Sequence, residues 1–185
     1  LGMKFRFIPP GEFLMGGPSS EEELAPTEQS AHTIAIPRPY YLGLYEVTQK
    51  EWATVVGNQY AQPEGESVGD DFPMHTISWY DAIVFCNALS RRDDIEPFYD
   101  ITILQQRVGS VSIMNADITI LGGPGYRLAT EAEWEYACRG GILAIDLIDI
   151  NEAAWHRENS EGSTCRPVGG KLENPFLLYD MLGNV

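Results

Sequence analysis

Three short helices are marked by their first residues, and that spacing constrains this chain more than any other feature. Thr48, Ser78 and Thr130 are each followed three residues later by an acid, Glu51, Asp81 and Glu133. A hydroxyl in that place accepts a hydrogen bond from an orphan backbone N–H of the first turn, and the acid returns the favour to the cap. The first expected helix runs from Gln49 to Val56 and stops at Gly57, the second from Trp79 to Leu89, and the third from Glu131 to Arg139 before Gly140. Trp79, Ala82, Ile83, Cys86 and Leu89 fall on one face of the second helix, while Trp134, Ala137 and Cys138 share the buried face of the third. The tryptophans are expected to be core anchors.

Around the helices the pattern is that of short strands. Phe5, Ile8, Phe13 and Met15 surround Pro9-Pro10-Gly11, which reads as two strands joined by a turn. A second β-rich stretch covers Thr33–Ile36 and Tyr40–Tyr45. Acidic loops, Ser19–Glu23 between Pro18 and Pro26 and Gln59–Asp71, read as solvated surface. The pentapeptide Asp100-Ile101-Thr102-Ile103-Leu104 recurs as Asp117-Ile118-Thr119-Ile120-Leu121. With Arg107-Val108-Gly109-Ser110 as its turn, this predicts a hairpin insertion over 96–126 rather than a repeat array. Beyond Gly140 periodicity fades, and long irregular segments are usually tied down by function or a metal. The expectation is one α+β domain over 1–185, with short capped helices, small antiparallel sheets and long loops.

Composition narrows the partners. Hydrophobic residues make up 44% of the 185 positions, enough for a core without disulfide staples. Twelve Lys+Arg against 27 Asp+Glu leave a formal charge of -15, which argues against nucleic acid, because phosphate neutralisation needs a basic face. The longest apolar run, Ala82–Cys86, is too short to span a membrane. Lys4 and Arg6 followed by Pro9-Pro10 do not resemble a signal peptide, and the start at Leu1-Gly2-Met3 leaves room for a removed upstream segment. Extracytoplasmic and cytoplasmic settings are both compatible with these residues.

Chemistry is sparse. The chain has no Gly-rich phosphate loop, zinc-type Cys/His cluster or His-Glu-x-x-His helix. His32, His75 and His156 are scattered, and Cys86 and Cys138 lie on apolar helix faces, where a thiol behaves as a small hydrophobe. Cys165 is followed by Arg166, which could lower its pKa. The better-posed site is Tyr179-Asp180-Met181-Leu182-Gly183-Asn184-Val185. Asp180 supplies a hard carboxylate, and a turn at Gly183 can aim backbone carbonyls at the same point, a donor mixture that suits calcium. A plain Asp/Gly/Asn turn fits the same residues.

Several motifs are not generic. Phe13-Leu14-Met15-Gly16, Tyr45-Glu46-Val47-Thr48 with Trp52, and Ile77-Ser78-Trp79-Tyr80-Asp81-Ala82 occur in order. They precede Arg127-Leu128-Ala129-Thr130-Glu131-Ala132-Glu133-Trp134-Glu135-Tyr136, then Pro167-Val168-Gly169, Asn174-Pro175 and Leu178–Val185. Across its length the chain resembles the formylglycine-generating enzyme family, also called sulfatase-modifying factors. The resemblance implies a variant C-type-lectin-like fold with calcium-pinned loops. Asp180 matches a side-chain calcium ligand, and Gly183 and Val185 match backbone carbonyl ligands, with a further family ligand beyond Val185. A second family calcium site corresponds to Glu152–Ser163, where no ligand set can be mapped. Ala129, where Pro is usual, and Leu177, where Gly commonly precedes Leu-Tyr-Asp-Met, depart from the pattern.

Members of that family oxidise a sulfatase cysteine to formylglycine with oxygen and a copper(I) ion held by two thiolates. Soft thiolates suit copper(I). The family's thiol pair belongs to a C-terminal part that these residues do not include, so copper is expected only if such a pair lies beyond Val185. Cys86 and Cys138 match positions that in some members form structural disulfides. The resemblance therefore implies either a bacterial-type oxidase domain lacking its catalytic end here, or a non-catalytic lectin-like module that binds a protein or peptide.

Overall fold

The opening ribbon of the protein is broken in the middle by its own prolines. In the computed structural model, which describes residues 2–16, 31–57, 67–107, 112–141, 149–160 and 165–185, β1 (Phe5–Ile8) pairs antiparallel with β4 (Tyr40–Gly43), and β2 (Gly11–Met15) with β3 (His32–Ile36). The expected turn at Pro9-Pro10 does not fold β1 onto β2. Ile8 faces Tyr40 and Gly11 faces Ile36, so Pro9-Pro10 sits opposite Pro37-Arg38-Pro39 and the register slips by one residue. Proline has no N–H to give a ladder, so two short sheets form where one longer ribbon would otherwise run.

Helix α1 (Gln49–Val56), α2 (Trp79–Arg92) and α3 (Glu131–Cys138) all carry complete capping boxes. Thr48, Ser78 and Thr130 accept from the N–H of Glu51, Asp81 and Glu133, whose carboxylates accept from the cap N–H in return. α2 runs one turn beyond the expected Leu89, ending on Arg91 and Arg92, which suit the negative end of the helix dipole. Two strands follow it, β5 (Tyr99–Gln106) and β6 (Ile113–Ile120), paired as the expected hairpin. The turn expected at 107–110 lies largely outside the described residues. A one-turn α4 (Ile150–Ala153) precedes the C-terminal loops.

Three apolar clusters organise these elements. α3 packs Tyr136 and Ala137 against Ile8, Phe13 and Ile36 of the ribbon, with Leu178 closing the cluster. Trp52 of α1 stacks on Phe85 of α2, centroids 5.0 Å apart, with Met74 and Leu89 around them. Ile83 and Cys86 of α2 meet Tyr99, Ile101 and Ile118 of the hairpin. Only Trp52 of the three helix tryptophans anchors a core. Trp79 and Trp134 are 57% and 49% exposed, although Trp134 stands four residues past its helix cap just as the buried Trp52 does in α1, so position along the helix does not decide burial. On α3 the buried place expected for Trp134 belongs to Tyr136.

Candidate functional site

The last twenty residues form a loop that is closed by side chains more than by secondary structure. Asn174 Nδ2 donates to the carbonyls of Ala137 and Cys138, capping the C-terminus of α3, while its Oδ1 accepts from the N–H of Phe176 and Leu178. Arg6 Nε donates to the Phe176 carbonyl, and the Tyr179 N–H to the Leu44 carbonyl, so the loop is tied to the ribbon. Three non-glycine residues within it take positive φ: Leu177 at 60, Asp180 at 57 and Asn184 at 114 degrees. Such backbone is costly for L-residues and persists where the surroundings over-determine it. Glycine meets this backbone without strain, so Leu177 is the residue that carries it here.

Asp180 lies at the centre. It is buried, and its Oδ2 accepts from the Gly169 N–H at 2.6 Å, while Oδ1 is buried with no hydrogen-bond partner. Burial pushes its carboxyl above the ordinary range. A carboxylate oxygen held out of water with nothing to bind is costly, and Asp180 Oδ1 is one of the few buried side-chain atoms in the described structure left in that state. Gly183 and Val185 follow Asp180 by three and five residues, Gly183 at a bend directly after the turn at 181–182. Gly183 lies so close to the Trp155 carbonyl that a Cβ would come within 2.4 Å of it. No residue with a side chain fits there.

A second carboxylate, which the sequence reading passed over, stands beside the first. Glu46 Oε2 accepts from Asn184 Nδ2 at 2.8 Å, and the Val185 N–H also donates to this carboxylate. Burial raises the Glu46 pKa to about 7, the Asn184 bond opposes the rise, and the charge of Asp180 adds to it. Asn184 Oδ1 accepts from the Arg166 N–H, fixing the amide between Glu46 and the 165–167 segment. The only sequence signal for Glu46 is its place in Tyr45-Glu46-Val47-Thr48, two residues before the helix cap. Among the described residues no three His, Cys, Asp or Glu side chains gather as a metal cluster.

Beside Asp180 opens a cavity of about 500 Å³, with Leu172, Leu178 and Met181 among its apolar lining and Asp149, Glu152 and Glu173 among its acids. In the stretch expected to match a second calcium site, Asn159 is spent locally: its Oδ1 accepts from His156 N–H and its Nδ2 donates to the Ala154 carbonyl. Residues 161–163 of that stretch lie outside the described residues.

The thiols are not placed for chemistry. Cys86, Cys138 and Cys165 are free and buried on separate elements. Burial pushes Cys86 up to about 12 and Cys138 up to about 11. Cys165 also rises through burial rather than falling beside Arg166, whose Nη2 donates to the Ser160 carbonyl. The three histidines stay apart: Nδ1 of His75 meets Thr76 Oγ1 and Nε2 of His156 meets Asn151 Oδ1, while His32 lies on β3.

Residues 3–185 match the Sulfatase-modifying factor enzyme 1-like domain. The chain belongs to this family. It is 35% identical over 172 residues to the Chaperone protein LppX of Paenibacillus barcinonensis, covering 79% of this chain and 60% of that protein. It is 29% identical over 185 residues to Serine/threonine-protein kinase pkn1 of Chlamydia caviae, covering 97% of this chain and 26% of the kinase. With the Formylglycine-generating enzyme of Bos taurus it shares 30% identity over 161 residues, 73% of this chain and 39% of the enzyme. The chain thus spans less than two thirds of each of these relatives. Treponema denticola variable protein 1 superposes with a TM-score of 0.76 at 28% identity, over 99% of this chain and 70% of that one. The formylglycine-generating-enzyme-like α+β fold, with small antiparallel sheets and few helices, is therefore the fold of this chain. No helix among the described residues is long and apolar enough to cross a membrane.

Proposed function

We propose that this sulfatase-modifying-factor domain is a calcium-braced protein-binding module. The observation that carries it is the buried, unpartnered Oδ1 of Asp180. Asp180 would hold the ion together with the backbone carbonyls of Gly183 and Val185, a hard oxygen set of the kind calcium takes. Bound there, calcium would supply charge compensation and a rigid turn, and the chain's own residues do the rest. Gly169 orients the carboxylate, Asn184 spaces it from Glu46, and the positive-φ turn presents the loop. The adjoining cavity, apolar with acids among its lining, fits a peptide segment of apolar and basic side chains, in keeping with the formal charge of -15. The likeness to a chaperone and to a kinase supports a protein as the ligand.

The test is thermal unfolding of the chain with EDTA and with calcium. An ion that binds only the folded state must raise the midpoint, and Asp180→Asn should abolish the rise. If wild-type protein melts at one temperature in both solutions, the calcium site is refuted.

The second reading is oxidation of a protein cysteine to formylglycine, favoured by the 30% identity to the bovine enzyme. The three thiols described here, held protonated by burial, are not suited to hold copper(I) as thiolates. Residues outside this chain would have to supply the pair. Copper-dependent conversion of a sulfatase-type cysteine peptide by the chain itself would reverse the order of the two readings.

A further inference from the structure

The repeated pentapeptide pairs with itself. In the hairpin Ile101 faces Ile118, Asp100 faces Thr119 and Thr102 faces Asp117. Two copies of one sequence thus meet antiparallel about a local two-fold axis through the Ile101–Ile118 pair. The pairing sets each Asp against a Thr, so no like charges stand directly opposite. A strand with that property can make the same pairing with its equivalent on a second molecule.

Among the described residues no further strand pairs with the hairpin's outer edges. The Leu121 N–H donates to the Phe98 carbonyl at 2.9 Å, so by alternation the 100/119 and 102/117 pairs exchange the ladder bonds. The N–H and C=O of Ile101 and Ile103 on β5, and of Ala116, Ile118 and Ile120 on β6, therefore point outward. On β5 that edge is spoiled at both ends. Asn87 of α2 bonds the Tyr99 N–H and C=O as a strand would, and the register shift at Leu104 leaves a bulge. Bulges and covering side chains are how sheet edges are kept from pairing. On β6 the register is regular from Ala116 to Ile120, and no described strand lies against it. Ile120, on the face that carries the core, is 69% exposed.

We propose that β6 is a self-association edge, and that two copies of this chain join β6 to β6 into a four-stranded antiparallel sheet centred on Ile118. In that sheet Asp117 faces the partner's Thr119, and Ile120 lies beside the partner's Ala116 and loses its exposure. One strand pair is a small interface, so association belongs at roughly micromolar concentration or above. With a charge of -15 on each copy, added salt should tighten it.

The experiment is sedimentation of the wild-type chain over a concentration series, with amide hydrogen exchange at both ends of it. The expected species is twice 20.6 kDa at high concentration, with the Ile118 and Ile120 amides protected only there. Ile120→Lys, which places a charge on the edge without touching a ladder bond, should leave the protein monomeric and both amides fast. A chain that stays monomeric with both amides fast up to about 200 µM overturns the proposal. So does a dimer that survives Ile120→Lys with those amides still unprotected, because another surface would then hold it. The exchange measurement needs no variant, so a poorly folding mutant leaves the result decisive.

Discussion

Asn184 Nδ2 donates to Glu46 Oε2 across 2.8 Å, joining residues 138 apart in the chain. The bond seats the end of the C-terminal turn on the segment that leads into α1. It also brings a second, half-buried carboxylate near the buried Asp180. What each does to stability follows from the direction of its shift.

Glu46 has its folded pKa raised from 4.5 to about 7, by burial first and by Asp180 after the opposing Asn184 bond. The folded state then holds the proton more tightly than the unfolded one. Its contribution is fully present below about pH 4.5 and is lost as pH rises through about 7, by at most about 3 kcal/mol and less where water reaches the carboxylate. In EDTA, Glu46→Gln should therefore flatten the fall in stability between pH 5 and pH 8 while matching the wild type at pH 5. Urea unfolding at both pH values measures it. An unchanged slope would show that Glu46 is not the group responsible.

Glu133 carries the opposite sign. Its carboxylate takes two bonds of 2.6 Å from Arg127 and closes the α3 capping box, and these hold its pKa below the ordinary value, with Arg127 the larger cause. That stability is present above the unfolded pKa of about 4.5 and is lost as pH falls through the lower folded value. Glu133→Ala should cost about 1–3 kcal/mol at pH 7, combining a lost cap with a partly buried ion pair. The deficit should shrink in acid. Guanidinium titrations at pH 7 and pH 3 compare the two.

Leu177 sits at φ 60 degrees with its side chain 43% exposed. Replacing it by glycine removes a left-handed strain of about 1–2 kcal/mol and adds about 0.5–1 kcal/mol of unfolded-state entropy. Leu177→Gly should be neutral to stabilising by about 1 kcal/mol. A clear fall in melting temperature would mean that the lost apolar contacts at the cavity outweigh the strain.

Asn87 is buried and acts as a strand for Tyr99, donating to its carbonyl at 2.7 Å and accepting from its N–H at 3.3 Å. Asn87→Leu keeps the volume and orphans both backbone groups, for a loss of about 1–3 kcal/mol. The readout specific to this role is faster amide exchange at Tyr99, with the α1–α2 core unchanged.

The helices were legible because their signals are local. A hydroxyl, an acid three residues on and a closing glycine specify a short helix wherever the chain carries them, and Thr48, Ser78 and Thr130 did so. The hairpin was legible for the same reason, since alternating β-branched residues on both sides of a short turn find their first partner in each other. Pro9-Pro10 misled because a turn and a kink begin with the same residues. The difference lay in Pro37 and Pro39 across the ribbon. Trp79 and Trp134 are exposed against expectation because helical periodicity assigns a face without saying which distant element covers it.

Within the candidate site the same division holds. The sequence by itself put Asp180, Gly183 and Val185 within one six-residue stretch, and neighbours that close need no long-range contact to stay together. Only the tertiary structure decided that Asp180 Oδ1 would be left without a partner and that Glu46 would stand beside it. Burial and distant partners depend on how loops far apart in the chain close over one another, and no residue type or spacing encodes that.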